Sequence, residues 1–219
     1  MTAGILAGQR IVVSAGPTYE DIDPVRYIGN RSSGKMGFAI AAAAARSGAD
    51  VLLVAGPVHL ATPPGVARVD VRSAAQMHMA VLAALPADAY VGAAAVADWT
   101  PRAPATSKLK KRPGVDSYNL ELVRTPDVLA DVGAHPQRPR LVLGFAAETE
   151  NLEANARAKL DAKHLDYIAA NRVGVADGGF ESDRNALALI GRDSRRDLGP
   201  ATKTELAATL IEFIAGKLC

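Results

Sequence analysis

The stretch Gly29-Asn30-Arg31-Ser32-Ser33-Gly34-Lys35-Met36 sets two glycines, two serines and a lysine directly ahead of an alanine-rich segment. Free N–H groups at a helix start, together with the helix dipole, attract anions, so Ser32, Ser33, Gly34 and Lys35 read as a phosphate cradle. The spacing nearly matches a P-loop, Gly-x4-Gly-Lys-Ser/Thr, but two features count against one. Met36 has no hydroxyl to hold Mg2+. The first strand ends near Ala15, about a dozen residues before Gly29, whereas a P-loop leaves its strand directly. A solvated loop with a serine cap is the plainer alternative. Arg26 and Asn30 lie four apart in the same loop. Arginine can grip a carboxylate or phosphate through two parallel bonds. An asparagine amide can hold an oxygen that gains charge during acyl transfer. Either residue could equally stabilise the loop.

Three further stretches carry similar chemistry. Gly92-Ala93-Ala94-Ala95-Val96-Ala97-Asp98-Trp99 joins small residues to one carboxylate, so a flat or phosphorylated ligand can approach the backbone. Asp98 could also simply cap a turn. Lys108-Leu109-Lys110-Lys111-Arg112 lies in a proline-flanked loop and reads as a lid over phosphates or as a solvated charge run. In Gly144-Phe145-Ala146-Ala147-Glu148-Thr149, Phe145 could stack on a base or fill the core. Lys159 and Lys163, four apart on a helix, share one face and could meet a polyphosphate or stand exposed. No Gly-x-Gly-x-x-Gly follows the first strand, and the second ends in Ala55-Gly56-Pro57 without an acid for a ribose, which disfavours a nicotinamide site. The four histidines are scattered, and the one cysteine, Cys219, is terminal, so no zinc cluster or internal disulfide is expected.

These loops need a scaffold. Short apolar runs alternate with helix-period segments. Strands are expected at Ile11–Val13, Val51–Ala55, Ala67–Val71, Ala89–Val96, Leu120–Val123, Leu141–Phe145, Asp166–Ala170 and Asn185–Gly191. Helices are expected at Met36–Ser47, from a Ser73 cap to about Leu85, from Thr125-Pro126-Asp127 onward, from a Thr149 cap to about Leu165, and at Thr204–Lys217. Tyr19–Lys35 and most of Ala97–Asn119 read as loop. Strands that are apolar throughout argue for a mostly parallel sheet with helices on both faces. Such sheets bind ligands at their carboxyl edge, where the three chemical loops fall. The chain has 219 residues, 49% hydrophobic and 22% charged, with a net charge of +2. That suits one α/β domain (10–219) after a short linker or tail (1–9), and argues against bulk nucleic-acid or membrane binding. The longest apolar run, Phe38–Ala45, cannot span a bilayer, and Met1–Gln9 lacks the pattern of a signal peptide, so a cytoplasmic protein is expected.

Taken in order, Ser14–Thr18, Asp23–Ile28, Asn30–Gly37, Ala93–Asp98, Lys108–Lys111, Thr125–Asp127 and Gly144–Thr149 resemble phosphopantothenoylcysteine synthetases, the C-terminal half of bacterial bifunctional coenzyme A biosynthesis proteins. The resemblance runs from about Gln9 to Lys217. It implies a Rossmann-like sheet with an extended flap and dimerisation element, and a homodimer normally fused to a decarboxylase. It also implies a reaction in which CTP and Mg2+ activate 4′-phosphopantothenate as an acyl-cytidylate. The amine of L-cysteine then displaces CMP. Carried over by position, the CTP pocket falls on Gly92, Ala93, Ala94, Asp98, Lys108, Pro126, Asp127, Val128, Leu129, Phe145, Lys159 and Lys163. Asn30, Arg26 and Lys108 take the catalytic places, and Gly16 joins Ser32 to Lys35 in the substrate loop. The metal is expected to ride mainly on the triphosphate, with Asp21 and Asp23 as helpers at most, and no flavin is expected in this domain. Trp99 stands where tyrosine is frequent. The runner-up is another small nucleotide-binding NTPase or kinase.

Overall fold

The computed structural model describes residues 4–111, 113–114, 116–148, 150–172 and 183–218. The chain opens with β1 (Arg10–Ala15), the hairpin β2 (Tyr19–Asp21) and β3 (Tyr27–Gly29), and α1 (Lys35–Arg46). Next come β4 (Asp50–Ala55), β5 (Val66–Asp70), α2 (Ala74–Ala83) and β6 (Ala89–Gly92). A two-stranded excursion, β7 (Trp99–Pro101) and β8 (Leu122–Arg124), precedes α3 (Val128–Gly133), β9 (Leu141–Glu148) and α4 (Leu152–Ala162). The chain ends in β10 (Tyr167–Arg172), β11 (Arg184–Gly191), β12 (Ser194–Thr202) and α5 (Lys203–Leu218).

Among the described residues, one eight-stranded sheet has the order β12-β11-β10-β9-β6-β1-β4-β5. It is parallel from β5 through β10, and β11 and β12 add as an antiparallel hairpin. The strands are covered on both faces because Ile11, Val12, Val13, Val91, Leu143 and Ile168 offer apolar side chains to each side. From β1 the chain first builds outward through β4 and β5, then crosses back and builds the other way from β6. Right-handed crossovers therefore put α1 on one face and α2, α3 and α4 on the other. α1 and α5 pack over one core around Ile40, Leu210 and Ile214; Met77, Val132 and Leu160 head the opposite core.

Several local expectations differ from the structure, each for a backbone reason. The Ala89–Val96 strand stops at Gly92, since the Ala93 and Ala95 amides turn to the Ser14 and Gly16 carbonyls and draw the chain across the end of β1. Within the 19–35 loop, Tyr19 and Tyr27 stack at 3.9 Å and close a hairpin. Trp99–Pro101, read as loop, pairs with Leu122–Arg124, so the second partner starts later than Leu120. Pro126 is not in the first turn of a helix; Asp127 caps α3 through the Ala130 amide at 3.1 Å. β12 was not anticipated, because Ser194–Thr202 is an exposed polar edge strand. Residues 4–9 are docked rather than trailing: Leu6 is fully buried and its amide donates to the Ser47 carbonyl at 2.9 Å. The Ser73 cap is present, as a capping box with Gln76. The expected Thr149 cap and Cys219 lie outside the described residues.

Candidate functional site

The carboxyl ends of β1, β6, β9 and β10 open into a cleft of about 950 Å³. It lies where strand order reverses, between β1 and β6, the position at which open α/β sheets present loop ends to a ligand. The N-terminus of α1 forms one wall. Gly34 caps that helix at φ 75° with no side-chain cap, and the helix start from Gly34 to Gly37 lines the cleft. Gly37 brings the helix close: a Cβ there would stand 2.4 Å from the Ala15 Cβ. A Cβ on Gly34 would approach the Gly16 Cα at 3.4 Å, so Gly16 supports the cradle from beneath rather than lining the cleft.

The cationic bias is local. Among the described residues, Arg31, Lys35, Arg124, Lys159, Lys163 and Lys203 line the cleft, against the carboxylates of Asp98 and Asp127. Burial pushes Asp127 upward, but the Lys163 ammonium at 2.7 Å and the Ala130 amide outweigh it, and its pKa ends below the usual carboxylate value. Burial, with Lys35 nearby, pushes the Lys203 ammonium below the ordinary lysine range. Lys35 pairs with Asp183 at 2.6 Å, and Lys159 donates to the Phe145 carbonyl at 3.1 Å. At the floor, the Ser14 and Tyr90 hydroxyls bond at 2.8 Å, and burial raises the Tyr90 phenol above its ordinary value.

Of the expected residues, Asn30, Ser32, Ser33, Gly34, Lys35, Gly92, Ala93, Ala94, Asp98, Pro126, Asp127, Val128, Leu129, Phe145, Lys159 and Lys163 line this cleft. Part of the space that Gly92 leaves is filled by Leu129, whose Cδ2 would lie 2.7 Å from a Cβ there. The Asn30 amide donates to the Ala95 and Val96 carbonyls, both at 3.1 Å, tying the α1 loop to the turn after β6. An acyl oxygen would have to compete with those carbonyls for the same protons.

Arg26 and Lys108 do not line the cleft. Arg26 pairs with the buried Asp23 and donates to the Leu109 carbonyl at 2.8 Å, while Lys108 is exposed. Asp21 and Asp23 are not available to a cleft metal, since Arg72 holds Asp21 at 2.6 Å and Arg26 holds Asp23. Sequence reasoning missed Ser14, Arg124, Asn171, Asn185 and Lys203 as cleft residues. Asn171 and Asn185 left a signal, as amides in otherwise apolar strands, and both are buried. Lys203 left none, because a lysine at a helix start normally reads as solvated. Among the described residues no group of three or more His, Cys, Asp or Glu could hold a metal. Lys163 already holds Asp127 at 2.7 Å, so among the described cleft carboxylates Asp98 is the one that would stand near a metal ion carried by a bound polyphosphate.

The chain is similar to the bifunctional coenzyme A biosynthesis protein CoaBC of Vibrio cholerae, 48% identical over 211 residues, which are 96% of this chain and 53% of that protein. The CoaBC of Escherichia coli K12 is 49% identical over 203 residues, 92% of this chain and 50% of the relative. The chain thus spans about half the length of these curated relatives. Among solved structures, the C-terminal domain of a CoaBC protein superposes with a TM-score of 0.82 at 37% identity, covering 98% of both chains. The family model for the DNA/pantothenate metabolism flavoprotein C-terminal domain matches residues 6–218, nearly everything the cleft and its scaffold are built from. With that match over the whole fold, the chain belongs to the DNA/pantothenate metabolism flavoprotein C-terminal domain family.

Proposed function

We propose that this chain ligates 4′-phosphopantothenate to L-cysteine at the expense of CTP. The observation that carries the reading is the switch-point cleft, which among the described residues sets six cationic side chains and the α1 N-terminus against two carboxylates. A carboxylate does not yield to an amine, so it must first gain a leaving group. In the first half-reaction the substrate carboxylate attacks the α-phosphorus of CTP, forming an acyl-cytidylate and releasing pyrophosphate. In the second, the cysteine amine attacks the acyl carbon, CMP departs with the bonding pair, and the amine loses a proton. Two anions must meet in the first step, and the cations of the cleft screen that repulsion. A magnesium ion, when bound with the nucleotide, supplies further charge neutralisation.

In this reading Ser32, Ser33, Gly34 and Lys35 receive phosphate at the start of α1. Gly92, Ala93, Ala94, Pro126, Asp127, Val128, Leu129 and Phe145 surround the nucleoside, with Lys159 and Lys163 beside it. Asn30 acts on the acyl group, and Lys108 closes over the site from the β7–β8 excursion with Arg26 at its base. The active form is a homodimer in the cytoplasm, and the domain works beside a decarboxylase unit in a longer chain, in line with the length of the relatives. The family's description speaks of pantothenate metabolism and the relatives' name of coenzyme A biosynthesis, which supports a pantothenate-derived substrate.

The test is incubation with 4′-phosphopantothenate, CTP and Mg2+ without cysteine, followed by mass spectrometry and pyrophosphate assay. An acyl-cytidylate with matching pyrophosphate, chased to CMP and the amide on adding cysteine, is the expected outcome. CDP and inorganic phosphate without an adduct would replace the ligase with a phosphohydrolase.

A further inference from the structure

One buried carboxylate outside the cleft is surrounded entirely by donors. Oδ1 of Asp23 accepts the Val25 and Arg26 amides at 2.8 and 2.9 Å, closing the turn between β2 and β3. Its Oδ2 accepts Arg26 Nε at 3.1 Å, Arg26 Nη2, and the Leu109 amide at 3.0 Å. The side chain has no solvent exposure. Arg26 in turn donates to the Leu109 carbonyl at 2.8 Å, so both polar backbone groups of Leu109 are gripped from the hairpin turn. A second tie, from the Ala105 amide to the Ile22 carbonyl at 2.9 Å, holds the other side of the same loop. A turn of five residues needs neither a fully buried carboxylate nor a partner more than eighty positions away. The residue so placed is the one beside Lys108.

We propose that Asp23 is a positioning residue for the reaction: its carboxylate anchors Leu109 and thereby fixes where the Lys108 ammonium is delivered. The proposal rests on the ligase reading of Lys108 given above. Only a carboxylate serves, because every neighbour donates; an amide would turn an NH2 group toward Arg26 or a backbone N–H. The Arg26 guanidinium and the converging amides hold the Asp23 carboxyl well below the usual carboxylate range, so the anchor stays ionised wherever the protein is folded and active. Asp23 lies away from the cleft lining and acts through the loop rather than on substrate.

The experiment is steady-state pyrophosphate release by the 219-residue chain and by Asp23→Asn, Lys108→Ala and the double variant. Asp23→Asn should lower kcat about tenfold with KM for CTP changed less than about twofold, because an interaction used only after binding is weakened. The double variant should be no slower than Lys108→Ala alone, since two residues acting as one unit do not multiply. Unchanged kcat in Asp23→Asn, or losses that multiply in the double variant, would overturn the proposal and leave Asp23 a holder of its own turn. A wild-type chain that releases no pyrophosphate overturns the ligase reading itself. Should Asp23→Asn not fold, amide exchange on the wild-type protein decides: protection of the Leu109 amide supports the anchor, and free exchange in the folded protein removes it.

Discussion

Asn30 commits both amide protons to the Ala95 and Val96 carbonyls, and this colours what its removal does. Two partly exposed bonds contribute about 1 kcal/mol each. Asn30→Ala should therefore lower stability by about 1–2 kcal/mol in urea titration. It should also slow the cysteine-dependent half-reaction about tenfold or more, read by single-turnover chase of the acyl-cytidylate. Stability loss with an unchanged chase would reduce Asn30 to a tie between loops. Lys108 offers the opposite pattern. It is exposed, so Lys108→Ala should leave the melting temperature in place and cut kcat about 100-fold. Asp127 serves α3 and Lys163 together. Asp127→Ala removes a helix cap and should lower stability by about 1 kcal/mol, as a shifted urea midpoint would record.

At the scale of elements, the cleft depends on how closely α1 sits on β1. Gly37→Ala forces the helix outward, because the added carbon would meet the Ala15 Cβ at 2.4 Å. A cost of about 1–3 kcal/mol is expected, with a weakened KM for CTP because the moved helix start carries the proposed phosphate cradle. Calorimetry and steady-state kinetics on the same variant check both halves. The start of α5 gives a pH signature. The Thr202 amide and hydroxyl hold Glu205 below the ordinary glutamate pKa, and the Glu205 amide returns a bond to Thr202. A depressed folded pKa means that this box stabilises above the unfolded value of about 4.3 and is lost as the pH falls through the lower folded one. Melting temperatures of the wild type and Glu205→Gln should converge as the pH drops below about 4. A gap independent of pH would show that the carboxylate charge is irrelevant to the cap.

The same scale explains what could be read in advance. Ile11–Val13, Val51–Ala55 and Leu141–Phe145 announce themselves because strands buried on both faces must be continuously apolar. β12 escaped because it is polar and exposed, and the hairpin β2–β3 because its strands are three residues each and held by a long-range partner: the Tyr19 amide donates to the Arg72 carbonyl, and Arg72 lies over both tyrosine rings. The same limit applied to the cleft. Loops at the ends of β6 and β9 were visible from their small residues, whereas Lys203 and Asn185 reach the cleft only because β11 and β12 fold back beside β10. Arg26 was legible as a special residue but not as the grip on Leu109, since spacing along a chain carries no information about a partner eighty-three positions on.

On the scale of the whole molecule, the sheet separates two cores that share few side chains. Leu210→Ala on one face and Met77→Ala on the other should each cost about 2–5 kcal/mol and add to within about 0.5 kcal/mol in the double variant. Denaturation midpoints that fail to add would mean that the sheet transmits repacking from face to face. The lining of the cleft runs from Ser14 to Lys203, nearly the full span of the chain. During synthesis, β1 and its neighbours can pair before α5 emerges, yet the positive charge of the cleft is complete only once Lys203 is in place. An anion held by that charge therefore cannot guide the early nascent chain, and any binding energy it adds arrives only after the sheet is complete.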